Sequence, residues 1–589
     1  MLTRKWNAIS VLRLNTLVAQ ILMLVALPLG VHSRCFAQGA TAAIGGMVTD
    51  SQGLPTPDAT LTLRNLGTQG IQVSTTNTEG RYIFASISPG HYSLTISKGG
   101  FATVTEPDFE ITVNKTATQN FQLSVGSTTS EVTVQADSIS LDSSSTELGT
   151  AIQTQEVSNL PLNGRNFTQL LALTPGVSPI STGQNSSGGG GWAGSSIGAF
   201  TFPSVNGQTN RSNMFLLDGF TDYAFIGNYA VAPIIDAIQE FKVQSHNDSP
   251  AYGGSMGGIV NIVSQGGTNR YHGDLWEFLR NSALDAKNIF NTVVTPYKQN
   301  QFGATLGGPL LPGIKNPRLA QTFFFAGYEG FRSTRSAATL GRVPTAQELA
   351  GDLSDIPNQL YDPFTTRPDP SNPGQFRRDP FPLNNISSRL NPGMVAYAKA
   401  FYPQPEDVGV PGKNFRDNTP NTISSNIGTL RVDHQFSSSL SSWYRLTKFA
   451  QESTGATGLP SILSLNPVTG YQTGGSVTWV SKGGNKVLTG RFGRTEAFTL
   501  LEQQFADSVQ NAWQAAGFNP LYASGFSGGR SFNPGQDFTD FTTIQRGQYQ
   551  GNQIARIWEG AADFTWAKGK HTIQAGFDIN TNNNAQPIL

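Results

Sequence analysis

The stretch WEGAADFTWAKGKHTIQAGFDIN, residues 558–580, decides the fold class of this chain. It holds two runs in which apolar and polar residues alternate, joined by the turn residues AKGK. In the second run the apolar positions are Ile573, Ala575, Phe577 and Ile579. A period of two is typical of β-strands whose two faces differ in polarity. The stretch therefore predicts an antiparallel hairpin with one apolar face and one polar face.

The same alternation recurs from Tyr271 onward, in runs of about ten residues that are typical of transmembrane β-strands. We count about nine such strands between 271 and 589, as the first part of an antiparallel transmembrane barrel. The long intervals 332–425 and 499–547 are expected to be extracellular loops, because outer-membrane barrels have short turns inside and long loops outside. A soluble sandwich with a solvated polar face would show the same periodicity, so that alternative stays open.

The composition agrees with a large, mainly β protein. Of the 589 residues, 64 are Gly and 33 are Pro, and only 13% are charged. The 39 basic residues face 39 acidic residues, so there is no basic excess of the kind that nucleic-acid binding requires. Aromatic residues reach 10%, which disfavours a disordered chain.

The first 37 residues have the parts of a secretory signal peptide. Arg4, Lys5 and Arg13 precede the apolar run 16–31, which ends before CFAQ. We expect cleavage after Ala37. The alternative is an uncleaved anchor, although the run is shorter than the roughly 20 residues that a membrane span needs. Arg34 before Cys35 argues against a lipoprotein signal.

Residues 42–125 alternate short β-rich runs with Gly and Pro turns, which predicts a β-sandwich of seven strands, the sixth at FEITV (109–113). The segments GMVTDSQGLPTPDATLTL and TNTEGRYIFASISPGHYSLTISKGGF resemble the carboxypeptidase regulatory-like domain, whose fold is shared with some carbohydrate-binding modules. Sugar binding by this module would rest on fold analogy alone.

Residues 126–150 are rich in Ser and Thr and are predicted to be a linker. The linker contains EVTVQAD (131–137). Its residues Glu131, Val132, Thr133 and Val134 resemble the TonB box, an extended segment that energy-transducing periplasmic proteins bind as an added β-strand. The same four residues could instead end the last strand of the sandwich, and the sequence does not decide between the two.

Residues 151–269 are predicted to be a mixed α/β domain. A short helix is expected at 155–159 and a second at 166–173, followed by turns at Asn206-Gly207 and Asp218-Gly219 and by the strand GIVNIV. The order LDG, IQEFKV, YGGSMGGIVNIVSQGG resembles the plug domain of TonB-dependent outer-membrane transporters, which fills the barrel lumen. PLNGRNFTQLLALTPGV (161–177) and the sandwich ahead of it point to the Oar-like branch. The low-complexity segment 184–198 departs from the family pattern.

The glycines of this motif (Gly253, Gly254, Gly257 and Gly258) are expected to let the backbone turn sharply and pack against the barrel wall. Asp218 and Gly219 are expected to form a turn, with a ligand contact as the minority alternative. GGSMG (253–257) matches the G-x-S-x-G nucleophile elbow, but the strand–turn–helix context is missing around Ser255. No zinc motif or other catalytic set occurs. We therefore predict no enzyme activity, no cofactor and no metal site.

These features predict a TonB-dependent receptor in the outer membrane that takes up a scarce solute, such as an oligosaccharide, a peptide or a metal chelate. Its expected partners are a TonB-type protein, outer-membrane lipid and a small solute or glycan. The alternative is a surface binding or adhesion protein with a carbohydrate-binding-like module. Because the resembled transporters close with about 22 strands, we expect this chain to be part of a longer protein or a truncated gene product.

Overall fold

The computed structural model describes residues 41–126, 131–133, 148–160, 162, 165–179, 203–208, 212–222, 230–246, 252–287, 289, 294–310, 321–336, 338–456, 458–459, 462–500, 502–505, 541–542, 544 and 552–585. The predicted signal peptide (1–37), Val134 and the segment 184–198 lie outside the described residues.

The N-terminal part is a β-sandwich of nine strands. They are β1 (Ala42–Asp50), β2 (Thr60–Asn65), β3 (Ile71–Thr75), β4 (Arg81–Ile87), β5 (Gly90–Ser97), β6 (Thr103–Ile111), β7 (Thr116–Thr118), β8 (Phe121–Leu123) and β9 (Glu131–Thr133). One sheet has the order β4-β1-β7, with β8 also on β1, and the other has the order β3-β2-β5-β6-β9. Alternate residues such as Ile44, Leu61 and Leu94 fill the core between the sheets.

The strand predicted at FEITV is only the end of β6, which begins at Thr103. Glu106 and Pro107 interrupt the apolar pattern in the middle of this strand. Glu106 is nevertheless buried, because both of its carboxylate oxygens accept hydrogen bonds of 2.8 Å from Gln119 Nε2.

The middle domain, residues 148–264, combines a mixed sheet with short helices. Its elements are β10 (Leu148–Ile152), α1 (Thr154–Asn159), β11 (Val177–Pro179), β12 (Pro203–Val205), β13 (Met214–Leu217), β14 (Phe220–Thr221), β15 (Ile238–His246) and β16 (Ile259–Ser264). The main sheet has the order β10-β15-β16-β13-β14. It begins at Leu148, inside the segment predicted as linker. The second predicted helix is a 3-10 helix, Phe167–Leu173, which the side chain of Asn166 caps at Thr168 N.

The C-terminal part is one large antiparallel sheet with additional elements in its connections. They are β17 (Leu275–Asn281), β18 (Tyr297–Pro309), β19 (Thr322–Arg335), β20 (Thr339–Gly341), α2 (Ala346–Leu349), β21 (Arg367–Pro368), β22 (Phe376–Arg377), α3 (Pro392–Phe401), β23 (Phe415–Asp417), β24 (Asn421–Ser437), β25 (Leu440–Ala456), β26 (Ile462–Val480), β27 (Lys486–Leu500), β28 (Glu502–Phe505), β29 (Asn552–Lys568) and β30 (His571–Ala585). The order is β17-β18-β19-β24-β25-β26-β27-β29-β30, and β28 pairs with β26. The prediction of a mainly β chain with about nine barrel strands is confirmed.

The two faces of the large sheet have opposite polarity. Gln301, Arg431 and Glu559 are buried on the face that packs against the middle domain, whereas Leu306, Leu430 and Ile573 are exposed on the other face. A soluble sandwich would bury the apolar face, so this arrangement is the one expected for a partial barrel with an apolar outer surface. Among the described residues, no helix is long and apolar enough to cross a membrane.

The shortest and the longest connections lie at opposite ends of the sheet, because successive connections of an antiparallel sheet alternate between its two ends. β24 and β25 are joined at the pair Ser437 and Leu440, whereas β19 and β24 are joined by the long interval between Arg335 and Asn421. This interval is folded: it contains α2 and α3 and shares a small core with residues of two neighbouring connections. The core comprises Val343, Tyr397, Phe401, Tyr402, Phe415, Leu459 and Ile544.

Candidate functional site: the contact between the middle domain and the large sheet

Asp218 and Gly219 form the tight turn between β13 and β14. Leu217 pairs with Phe220 across the turn, and both turn residues have positive φ angles, 54° for Asp218 and 78° for Gly219. Two positive φ angles are the signature of a type I′ hairpin turn, for which Asp-Gly is a preferred sequence. The turn predicted from the sequence is therefore present. It points the Asp218 side chain toward the inner face of the large sheet.

The Asp218 carboxylate is buried in a network of cations and donors. It accepts hydrogen bonds from Ser264 N (2.8 Å), Ser264 Oγ (2.7 Å) and Arg445 Nε (2.6 Å). Arg431 Nη1 lies 3.5 Å from Asp218 Oδ1. Burial by itself raises the pKa of Asp218, but Arg445, Arg431 and the bonds from Ser264 outweigh burial, so the pKa lies below its ordinary value. Asp218 is therefore an ionised anchor between the middle domain and β24 and β25.

Three more strands of the sheet hold the backbone of the same turn. Arg491 Nη1 on β27 donates to Gly219 O (2.9 Å). Thr221 N donates to Glu559 Oε2 on β29 (2.9 Å), and Gln472 Nε2 on β26 donates to Thr221 O (3.2 Å). We call residues 218–221, together with Arg431, Arg445, Arg491, Gln472 and Glu559, the Asp218 contact.

Phe220 fills a slot in the wall of the sheet that two glycines create. Gly474 on β26 and Gly493 on β27 are cross-strand neighbours. A Cβ atom would lie 2.4 Å from the Phe220 ring at Gly474 and 2.5 Å from it at Gly493. The ring also packs edge-to-face on Trp443, with centroids 6.1 Å apart. Side chains at positions 474 and 493 would exclude Phe220 from this slot.

A second ionic contact joins the middle domain to the first strands of the sheet. Arg165, within the segment NGRNF, pairs with Asp236 of its own domain and lies 3.5 Å from Glu329 Oε2 on β19. Its guanidinium also stacks on Trp276 and Phe278 of β17, at 5.1 and 5.0 Å. The middle domain is thus fixed to both halves of the sheet.

The four motif glycines do not belong to this contact. Gly254 has a φ of 79° and lies in open space, as expected for a turn, and Gly253 also has no near neighbour. A Cβ at Gly257 would meet Asn213 Oδ1 at 2.4 Å, and one at Gly258 would meet Val205 Cγ2 at 2.9 Å. The expectation that these glycines pack on the barrel wall is wrong. Gly257 and Gly258 instead allow close packing inside the middle domain, because they precede its central strand β16.

Glu131, Val132 and Thr133 form β9, an edge strand of the sandwich. They pair in parallel with Thr103–Thr105 of β6. Of the two interpretations that the sequence left open, this arrangement matches a strand that ends the sandwich. Within the described sheet, this strand is paired on one side only.

Sequence reasoning singled out Asp218 and Gly219 but missed the arginines that bind them. Arg431, Arg445 and Arg491 all lie on the polar face of predicted strands, where each needs a counter-charge when the lumen is filled. That feature was the available signal. In the part of the chain that the structure describes, no three His, Cys, Asp or Glu side chains form a metal-binding cluster. Ser255 Oγ donates to Ser212 O, and the strand β16 follows it rather than a helix.

A family model described as an outer membrane beta barrel domain matches residues 263–587, more than half of the chain. The chain belongs to this outer membrane β-barrel family. A second family model, the carboxypeptidase regulatory-like domain, matches residues 43–124. The barrel family places the barrel domain in the outer membrane, which confirms the predicted location. The second family model confirms the predicted resemblance of the N-terminal sandwich.

A curated relative of this barrel protein is a transporter, and transporters and receptors are among the solved structures that it resembles. It is 28% identical over 336 residues to the TonB-dependent transporter Oar of Myxococcus xanthus, over 54% of this chain and 29% of the relative. The outer membrane transporter YddB of Escherichia coli matches at 11% identity and a TM-score of 0.43, over 73% of this chain and 47% of its own. The ferric enterobactin receptor PfeA of Pseudomonas aeruginosa matches at 12% identity and a TM-score of 0.33, over 74% and 58%. The chain thus spans less than a third of the curated relative.

Proposed function

We propose that this chain is part of a TonB-dependent receptor that actively imports a scarce solute across the outer membrane. The Oar relative, a TonB-dependent transporter, supports this proposal. Among the described residues, the site offers charge pairs and hydrogen bonds rather than a catalytic nucleophile or a cluster of metal-ligating side chains. We therefore assign the Asp218 contact a mechanical role rather than a catalytic one.

The observation that carries the proposal is the arrangement of the middle sheet between two attachment points. Its first strand, β10, forms one edge and follows the Glu131–Val134 segment along the chain. The Asp218 contact holds β13 and β14 at the opposite edge. A pull on the Glu131–Val134 segment therefore acts on β10 first, and the far edge stays attached to the barrel wall until the pull reaches the Asp218 contact. Such a pull would open the middle domain rather than extract it whole.

A TonB-type protein in the periplasm would bind the Glu131–Val134 segment by β-augmentation, in which backbone hydrogen bonds supply the affinity. The extended backbone of Glu131–Thr133, which already pairs as a strand with β6, supports this mode of binding. The outer membrane has no nucleotide supply. Energy would therefore reach the middle domain through the binding of the TonB-type protein to the Glu131–Val134 segment.

Deletion of Glu131–Val134 in the complete protein tests the proposal. Uptake of radiolabelled maltotriose, trialanine and ferric enterobactin would be measured in cells, together with surface binding of the same probes. We expect uptake of the transported probe to fall at least tenfold while surface binding is unchanged.

The matched control removes four residues from the same linker, Ser138–Leu141, and should leave uptake intact because it shortens the tether equally. Unchanged uptake after deletion of Glu131–Val134 would contradict the proposal. Surface binding without uptake in the unaltered protein would favour the alternative of an adhesion protein.

A further inference from the structure

A cavity of about 340 Å³ lies where the sandwich, the middle domain and the large sheet meet. Its lining includes Ser442 and Trp443 from the sheet, Gln239 and Gln265 from the middle domain and Thr68 from the sandwich. The volume lies at the lower end of the range for small-molecule sites. The cavity adjoins the short turns of the sheet, which form the periplasmic end of an outer-membrane barrel.

The cavity borders directly on the Asp218 contact. Arg431 donates to Ser264 O (2.9 Å) on one side and binds Asp433 Oδ1 (2.9 Å) in the cavity lining on the other. Trp443 lines the cavity and also packs on Phe220. Movement of the 218–221 turn out of its slot would therefore open the barrel lumen into this cavity.

The sandwich covers the cavity and is joined to the sheet and the middle domain mainly by hydrogen bonds. Thr75 N donates to Gly483 O (3.2 Å) in one short turn, and Asn77 Nδ2 donates to Gly569 O (2.9 Å) in another. On the other side, Gln239 Nε2 of the middle domain donates to Pro89 O (2.9 Å). The apolar part of this contact is a four-residue cluster comprising Ile83, Ala85, Val480 and Val487. Such a contact can separate without unfolding either partner.

The lining combines polar and apolar surface, and among the described residues it offers no charge that lacks a partner. More than half of the lining side chains carry an amide or a hydroxyl group. Arg431 and Asp433 in the lining are hydrogen-bonded to each other, and His91 is paired with Asp108. A charged solute would lose its hydration without gaining a counter-charge, whereas a neutral solute with hydroxyl groups would exchange hydrogen bonds with water for bonds to the lining.

We propose that this cavity is the exit chamber of the transport path, that it accepts a small uncharged hydroxyl-rich solute, and that the docked sandwich closes it toward the periplasm. The inference rests on the proposed function and adds to it a solute class and a moving part. Transport then needs two separations, one of the Asp218 contact and one of the sandwich.

A reversible disulfide between the sandwich and the sheet tests the closure. Thr75→Cys with Gly483→Cys suits this purpose, because a Cβ at position 483 would lie 3.5 Å from Thr75 Oγ1. The natural chain has one cysteine, Cys35, inside the predicted signal peptide. Oxidation of the pair in the complete protein should lower uptake of the transported probe at least tenfold, and reduction should restore it.

The control pair Ser481→Cys with Asn485→Cys closes the same turn on itself, since these side chains are 2.9 Å apart. Its oxidation should leave uptake unchanged. Normal uptake with the sandwich fixed to Gly483→Cys would overturn the chamber proposal and leave the transport proposal intact.

Labelling of Ser441→Cys, which lines the cavity on the inner face of β25, tests the chamber without any transport. In outer-membrane vesicles, a maleimide with a long polyethylene glycol chain should react with it at least tenfold more slowly than with the exposed control Lys482→Cys. N-ethylmaleimide should reach both sites, and maltotriose, but not citrate, should slow its reaction with Ser441→Cys at least threefold. Equal rates at the two positions would disprove the closed chamber, and equal effects of maltotriose and citrate would disprove the solute class.

Discussion

The middle domain presents one buried carboxylate to the large sheet and another to the sandwich, and their surroundings are opposite. Asp218 lies beside Arg445 and Arg431, which hold its pKa below the ordinary value. Glu240 accepts a hydrogen bond from Val113 N of the sandwich, and Lys242 is the cation near it. Burial raises the pKa of Glu240 to about 8, and the nearby Glu110 adds to the rise.

The difference indicates which contact is fixed and which is releasable. An ionised Asp218 between two arginines cannot leave its site without exposing a buried guanidinium to an environment that lacks its counter-ion. Because the pKa of Glu240 is raised to about 8, changes of pH near neutrality alter its protonation. We infer that the Asp218 contact yields only to a pull, whereas the sandwich contact separates under mild conditions.

The largest expected effect comes from Asp218→Asn. The substitution keeps the shape of the side chain but leaves Arg445, which is fully buried, without its carboxylate. Breaking a buried pair by removal of one partner costs about 3–5 kcal/mol. We expect the middle domain of the complete protein to become protease-sensitive at a lower urea concentration, measured by pulse proteolysis in detergent.

The double variant Asp218→Asn with Arg445→Met is the control, because it removes the unpaired charge as well. Replacement of both partners of a buried pair is often close to neutral. The double variant should therefore be more resistant than Asp218→Asn alone. A double variant that is less resistant than Asp218→Asn alone would mean that Arg445 stabilises the middle domain independently of Asp218.

Local patterns were enough to predict the strands and the turn of the Asp218 contact. The apolar residues of β24 and β30 face outward as their period of two requires, because successive side chains of a strand point to opposite faces. The Asp-Gly turn was predictable because few other residue pairs tolerate two positive φ angles.

The partners of these elements were not predictable from local patterns. Arg445 lies 227 positions after Asp218, and Glu240 lies 127 positions after Val113, so each pairing depends on sheet register and domain packing. The parallel pairing of Glu131–Thr133 with β6 likewise crosses a linker whose composition does not indicate a partner. The site therefore emerges only when the three parts of the chain are assembled.

A smaller loss is expected from Gly493→Ala, which sharpens the description of the fixed contact. The new Cβ would lie 2.5 Å from the Phe220 ring, and forced overpacking of this kind costs about 1–3 kcal/mol. The same pulse proteolysis measures it. Gly490→Ala on the same strand is the matched control, because that Cβ meets nothing within 4 Å. Phe220→Leu should partly rescue Gly493→Ala, and equal losses at 490 and 493 would reject the slot.

The smallest effect concerns the releasable contact and its dependence on pH. Burial raises the pKa of Glu240 from 4.5 to about 8, and the sandwich supplies part of that burial through Val113, so we expect docking to bind a proton. The stability of the docked state is then fully present below about pH 4.5 and is lost as the pH rises through about 8, by at most about tenfold in the docking equilibrium per pH unit.

The disulfide yield of Thr75→Cys with Gly483→Cys reports docking, and the yield of Ser481→Cys with Asn485→Cys corrects for thiol reactivity. The corrected yield should fall between pH 5 and pH 8 in the natural background and stay level with Glu240→Gln, since an amide does not titrate. A level profile in both backgrounds would show that the sandwich is held independently of Glu240, and the contrast between the two carboxylates would then lose its functional meaning.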